Sequence, residues 1–121
     1  MLGDPTAVCV ILRNQEGRLL AVSRKDDPEA MGLPGGSIEP GETPEEAIVR
    51  ETREETGLEI SNLQEVYRGQ CGENISVGFV ADYKGEPFQA EEGIVKWVGP
   101  DALLEGPFGA YNMELFLSLN I

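Results

Sequence analysis

Residues 36–58 read GSIEPGETPEEAIVRETREETGL, and this segment concentrates the side chains most able to do chemistry. On a helix, positions three and four apart advance by roughly 300° and 400°, so Glu51, Glu54 and Glu55 fall on one face. Like charges at that spacing repel, and near a helix C-terminus the backbone dipole disfavours them further. A bound cation would reverse the penalty, and all-oxygen donors suit hard ions such as Mg²⁺, Ca²⁺ and Mn²⁺. Arg50 can reach Glu46 or Glu54 across one turn, fixing one carboxylate and leaving others free as ligands. Glutamate is also a good helix former, and an acidic helix face is commonly just solvated. A glycine-rich bend ahead of the helix, a capped start and the ordered Glu and Arg spacing together favour a site.

The elements that must hold these groups are readable in outline. Thr43 reads as an N-cap, Pro44 as the first helical residue and Glu46 as the partner that completes a capping box. Gly57 suits the left-handed position after the last turn, so the helix spans about residues 44–56. Upstream, residues 6–12 and 19–23 are rich in β-formers, and the turn residues 14–17 between them predict a hairpin. Residues 24–33 are polar and broken by Pro28 and Gly32; with Pro34, Gly35 and Gly36 they read as a loop ending in a tight bend. Beyond the helix, residues 63–68, 75–83 and 94–98 read as strands, the second by its apolar alternation. Pro100–Leu104 reads as a helical turn, and residues 111–119 fit a period of 2 as well as a helix, of which the helix is favoured. The order β, β, loop, α, β, β, β, α is an α+β arrangement of one domain over residues 1–121.

Composition narrows the function. Twenty-two acidic residues against nine basic ones leave a formal net charge of −13, which disfavours direct binding to a nucleic-acid backbone. With no histidine in the chain, His-based triads and most zinc chemistry are excluded and carboxylates remain as the general bases. Cys9 and Cys71 stand far apart and read as reduced structural thiols. No apolar run is long enough to cross a membrane, and the start lacks a basic and then apolar secretory stretch, which points to a cytoplasmic protein.

The spacing resembles the Nudix box: Gly, five residues, Glu, seven residues, then Arg-Glu-U-x-Glu-Glu-x-Gly-U, with U a bulky aliphatic residue. Gly36, Glu42, Arg50, Glu51, Glu54, Glu55, Gly57 and Leu58 all fit. The first U position departs from it, being Thr52. Leu33, Pro34 and Gly35 leading into Gly36 of the box, and Trp97 and Val98 followed by Asp101, Leu103 and Leu104, extend the likeness along the chain. The resemblance implies the Nudix α/β/α sandwich, with a mixed sheet between helices. It implies Glu51, Glu54 and Glu55 as metal ligands, with the Gly35 or Gly36 carbonyl as an additional one, Arg50 orienting Glu51, and Glu42 in support near the helix start. Many relatives draw a further carboxylate from the loop before the Trp-containing strand, which here selects Glu92.

The chemistry this implies is Mg²⁺-dependent cleavage of a phosphoanhydride, with Mn²⁺ as a substitute. An anionic polyphosphate would be repelled by this chain without a bridging metal. Either a box carboxylate or Glu92 takes the proton of the attacking water. Arg24 and Lys25 are candidates for phosphate contacts, with Gly35 and Gly36 beside them. In its small size and minimal insertions the chain resembles the MutT-like members of the Nudix family, which implies a nucleoside triphosphate cleaved to monophosphate and pyrophosphate. ADP-ribose or a nucleotide sugar is the alternative substrate class, and a sensing module without turnover the alternative function. Phe79, Tyr83, Phe108 and Tyr111 are candidates to stack on a base and Asn112 to hydrogen-bond it. The expected partner is a small nucleotide or nucleoside diphosphate derivative, with the protein a monomer or homodimer.

Overall fold

Val8, Val10 and Leu12 alternate with Cys9 and Ile11, and all five are buried. A strand that is apolar on both faces must be covered on both, which places it inside a layered structure. The computed structural model, which describes residues 3–88, 93–106 and 108–120, shows this arrangement. Strand β1 (Ala7–Ile11) runs parallel to β6 (Asn74–Lys84) on one side and antiparallel to β4 (Gly35–Ser37) on the other. With β5 (Glu59–Cys71), paired antiparallel to β6, they form a mixed four-stranded sheet in the order β4-β1-β6-β5. A second, antiparallel sheet has the order β3-β2-β7, from β2 (Leu19–Arg24), β3 (Asp27–Gly32) and β7 (Gly93–Val98).

The alternation along β1 divides the core. Val8, Val10 and Leu12 pack with Ala47, Ile48 and Leu58 of and after helix α1 (Pro44–Thr56). Cys9 and Ile11 pack with Leu103 of α2 (Pro100–Leu104) and with Tyr111, Leu115 and Phe116 of α3 (Gly109–Ser118). Helices therefore lie on opposite faces of the β-structure, the α/β/α layering that the sequence implied. Among the described residues, no helix is long and apolar enough to cross a membrane.

Helix α1 has the expected ends. The Glu46 amide donates to Thr43 Oγ1 at 3.1 Å, and the Thr43 amide donates to the Glu46 carboxylate at 2.9 Å. Gly57 closes the helix at φ 76°, its N–H donating to the Arg53 carbonyl. Thr52, the departure from the box, is fully buried, and its hydroxyl donates to the Ile48 carbonyl at 2.7 Å. That bond satisfies the polar atom, so a threonine is accommodated where the pattern has an aliphatic residue.

Three local readings need correction. The reversal at residues 14–17 forms, but β1 and β2 touch only near its base, with one bridge between Arg13 and Leu19. Each strand has longer partners elsewhere, and they belong to different sheets. The stretch read as loop contains β3, and Pro28 is tolerated there because β3 is an edge strand, where a missing N–H breaks no ladder. The tight bend at Gly35 and Gly36 is itself a short strand, with Gly35 facing Cys9 and Gly36 facing Val8. A Cβ on Gly35 would run into the Val8 carbonyl, so glycine is required for this close pairing. The ambiguous residues 111–119 are helical as far as Ser118.

The capping box generates a direct test. Thr43→Ala removes one of its two hydrogen bonds and should lower stability by about 1 kcal/mol, read from urea unfolding midpoints at unchanged slope; an unaltered midpoint would show that the box contributes nothing.

Candidate active site

The C-terminal half of α1 presents Glu51 and Glu55 toward β4, with Glu54 beside them, and Arg50 holds Glu51 and Glu54. Its guanidinium forks onto the Glu42 carboxylate at 2.7 and 2.9 Å, so the loop before the helix is clamped to the helix itself. The same group donates to the Ser37 carbonyl at 3.0 Å and to Glu51 at 2.9 Å, with Glu54 at 3.4 Å and Glu39 at 3.6 Å. Glu54 is within Arg50's reach as the helical spacing suggested. Glu46 is not its partner, because that carboxylate is used in the capping box. Glu42, placed by the sequence only as support, is Arg50's best-aligned partner; its signal was the wide loop spacing, which no helical rule covers.

Backbone geometry brings β4 against the acids. The Gly35 amide donates to Glu55 at 2.8 Å. A Cβ on Gly36 would stand 2.5 Å from the Glu51 carboxylate, so this glycine lets the strand and the side chain meet. The carboxyls respond in opposite ways. Arg50 holds Glu42 down at about 2, helped by the Glu39 amide. Burial raises Glu51 above its ordinary value, against the pull of Arg50. Glu55 is pushed up to about 8, first by burial and further by the charges of Glu51 and Glu54, with the Gly35 amide opposing. Arg50 is raised, mainly by Glu42, and stays charged.

Glu54 and Glu55 line a cavity of about 490 Å³ together with Ser23, Arg24, Asp27, Leu33, Gly35 and Phe108. A second cavity, of about 240 Å³, is lined by Leu33, Gly35 and Phe108 as well, and by Cys9, Ser76, Tyr111 and Asn112. The three shared residues make the two spaces neighbours. Arg24 therefore borders the acidic cluster, held in a bidentate pair with Asp26 at 2.9 and 3.0 Å. Lys25 is exposed and is not among the residues lining either cavity. Phe79 is sealed in the core and Tyr83 stacks near Trp97 with centroids 5.7 Å apart, so neither borders these spaces. Tyr111 and Asn112 do, although the Tyr111 hydroxyl donates to the Ser76 carbonyl and the Asn112 amide to the Leu103 carbonyl. Glu92 lies outside the described residues. Both cysteines are free thiols, with burial pushing Cys9 up to about 12, which keeps it protonated.

The donor set fits a hard cation. Among the described residues no three acidic side chains are already gathered at ligand spacing; Arg50 and the Gly35 amide engage oxygens of Glu51, Glu54 and Glu55. Oxygen ligands alone, from carboxylates and a backbone carbonyl, suit a divalent ion of the Mg²⁺ type.

The Arg50–Glu42 clamp sets an acid limit. Glu42 is depressed from 4.5 to about 2, so its contribution to stability is complete above its unfolded value and disappears as pH falls toward about 2. Thermal melts between those limits should fall more steeply with acid for the wild type than for Glu42→Gln; parallel curves would show that the pairing does not stabilise the fold.

The sequence profile of the NUDIX domain matches residues 3–117. A Haemophilus influenzae protein named 8-oxo-dGTP diphosphatase is 36% identical over 115 residues, covering 87% of this chain and 83% of that one. A Methanocaldococcus jannaschii protein named ADP-ribose pyrophosphatase is 40% identical over 84 residues, which cover 63% of this chain but only 50% of the relative. Among solved structures, a MutT from work on Aliivibrio salmonicida and Vibrio cholerae has the same fold, with a TM-score of 0.77 at 23% identity over 96% of this chain and 97% of that one. Since the match runs through the box and nearly all of the chain around it, the protein belongs to the Nudix hydrolases, a family of pyrophosphatases that generally use divalent metal cations.

Proposed function

We propose that the protein is a Mg²⁺-dependent pyrophosphohydrolase that splits a nucleoside triphosphate into a monophosphate and pyrophosphate. The observation that carries this reading is one cavity bordered by both acids and a cation, Glu54, Glu55 and Arg24, and neighbouring, at Leu33, Gly35 and Phe108, a second with an aromatic and amide lining. Phosphates belong in the first and the nucleoside in the second, where Tyr111, Phe108 and Asn112 offer stacking and hydrogen bonds.

Glu51, Glu54, Glu55 and the Gly36 carbonyl would hold the metal. Bound there, it screens charge repulsion, acidifies water and stabilises negative charge on the phosphoryl oxygens. Arg50 keeps Glu51 aimed and tethers Glu54, so the carboxylates keep their places when the polyanion enters. Arg24 binds a phosphate oxygen in a charge-assisted contact, giving up part of its pairing with Asp26, and Lys25 adds positive charge next to it. Water attacks phosphorus, the bridging P–O bond breaks, and the water's proton passes to a carboxylate. Glu54, with a side chain 59% exposed, and Glu92 are the two candidates for that acceptor. The likeness to a protein named ADP-ribose pyrophosphatase favours ADP-ribose as the second substrate to test.

Product analysis by ion-pair chromatography after incubation with Mg²⁺ decides among these substrates. Monophosphate plus pyrophosphate from a triphosphate is expected; AMP and ribose phosphate from ADP-ribose alone would move the substrate class, and no product from any nucleotide would favour a sensing module. Chelation should abolish turnover, and Glu54→Gln should lower kcat by about 10²-fold or more, with a kcat unchanged in this variant contradicting its role.

A further inference from the structure

Along β2 the side chains alternate, and Leu19, Ala21 and Ser23 share a face. Leu19 and Ala21 enter the core cluster beneath α2 and α3. Ser23 follows where that face reaches the cavity bordered by Glu54, Glu55 and Arg24, and it is among the residues that line it. It is 9% exposed, and its hydroxyl oxygen is shielded from solvent with no hydrogen-bond partner. Among the described residues this is a conspicuous exception. Thr52, Thr56 and Asn112, which are also buried, make bonds, the threonines to helix carbonyls and Asn112 to Leu103.

A buried hydroxyl without a partner costs about 1–3 kcal/mol, and alanine would continue the apolar face of the strand without that cost. The position makes sense if a partner arrives from the cavity. Serine moves its oxygen between staggered wells by rotation about one bond, so the hydroxyl can turn toward a ligand without moving the strand. The neighbouring cation Arg24 and the acids across the cavity define what that ligand is. A phosphoryl oxygen accepts hydrogen bonds only, and Ser23 has a donor that the free protein does not use.

We propose that Ser23 is a substrate-binding residue whose hydroxyl donates to a phosphoryl oxygen of the pyrophosphate group, inside the position taken by Arg24. This deepens the pyrophosphohydrolase reading and rests on it. The hydroxyl supplies a short neutral contact at the buried end of the phosphate site, where Arg24 supplies charge at its exposed end. Together they fix the polyphosphate against the acids of α1.

The test compares wild type, Ser23→Ala and Ser23→Thr by calorimetric titration with inorganic pyrophosphate in Mg²⁺, by steady-state kinetics with the hydrolysed nucleotide, and by thermal melts. Ser23→Ala should bind pyrophosphate about tenfold more weakly and lose kcat/KM by a similar factor, while melting no lower than the wild type because no existing bond is removed. Ser23→Thr keeps the donor and should recover most of the binding. Unchanged pyrophosphate affinity in Ser23→Ala overturns the proposal, and so does weakened nucleotide binding with pyrophosphate binding intact, which would place the hydroxyl on the sugar or base. A lower melting point with unchanged affinity would assign Ser23 to the fold and overturn it as well. Wild-type protein that binds pyrophosphate through Ser23 yet hydrolyses no nucleotide keeps the anion contact and rejects the hydrolase reading; binding of neither rejects both.

Discussion

The arrangement depends on the Arg50 guanidinium. In a chain of net charge −13, gathering glutamates on one helix face is electrostatically unfavourable, and Arg50 is the cation placed among them. Its fork onto Glu42 and its bond to the Ser37 carbonyl tie the end of β4 and the following loop to the middle of α1. The same side chain holds Glu51 and reaches Glu54. Positioning of the loop and orientation of the acids are therefore one interaction, which a lysine, with a compact ammonium in place of a planar fork, could not reproduce.

The second constraint is the approach of β4 to the helix. Gly35 lies so close to β1 that a side chain would collide with the Val8 carbonyl, and Gly36 lies against the Glu51 carboxylate. The strand is pressed between its neighbour and the helix, and the Gly35 amide is left to bond Glu55. Backbone on one side and half-buried carboxylates on the other leave only small hydrated ions or polar ligand atoms as natural occupants. The energetic frustration of Glu55, whose burial raises it to about 8, is the other side of this packing.

Local chemistry made α1 legible in the sequence. Thr43, Pro44, Glu46 and Gly57 act within a turn of where they sit, so their roles follow from spacing. The grouping of Glu51, Glu54 and Glu55 is equally local. Pairing between strands is not, and the sequence assigned the turn at residues 14–17 to a hairpin whose strands in fact belong to different sheets. Pro28 disguised β3 because its meaning depends on whether a strand is at an edge, which only the assembled sheet decides. Phe79 and Tyr83 looked like candidate base contacts by residue type, yet the first is in the core and the second beside Trp97. Ser23 carried no signal at all, since a serine at the end of a strand is unremarkable until its burial is known.

The central claim is that the acids of α1, Glu51 and Glu54 held by Arg50 and Glu55 by the Gly35 amide, form a divalent-cation site. Direct binding of Mn²⁺, followed by the loss of the free ion's electron paramagnetic resonance signal, tests it without reference to any substrate. Uptake by the wild type that is lost in the Glu51→Gln, Glu55→Gln double variant, with both proteins equally folded by circular dichroism, is the expected result. Equal uptake by the two proteins would place the metal elsewhere and contradict the claim.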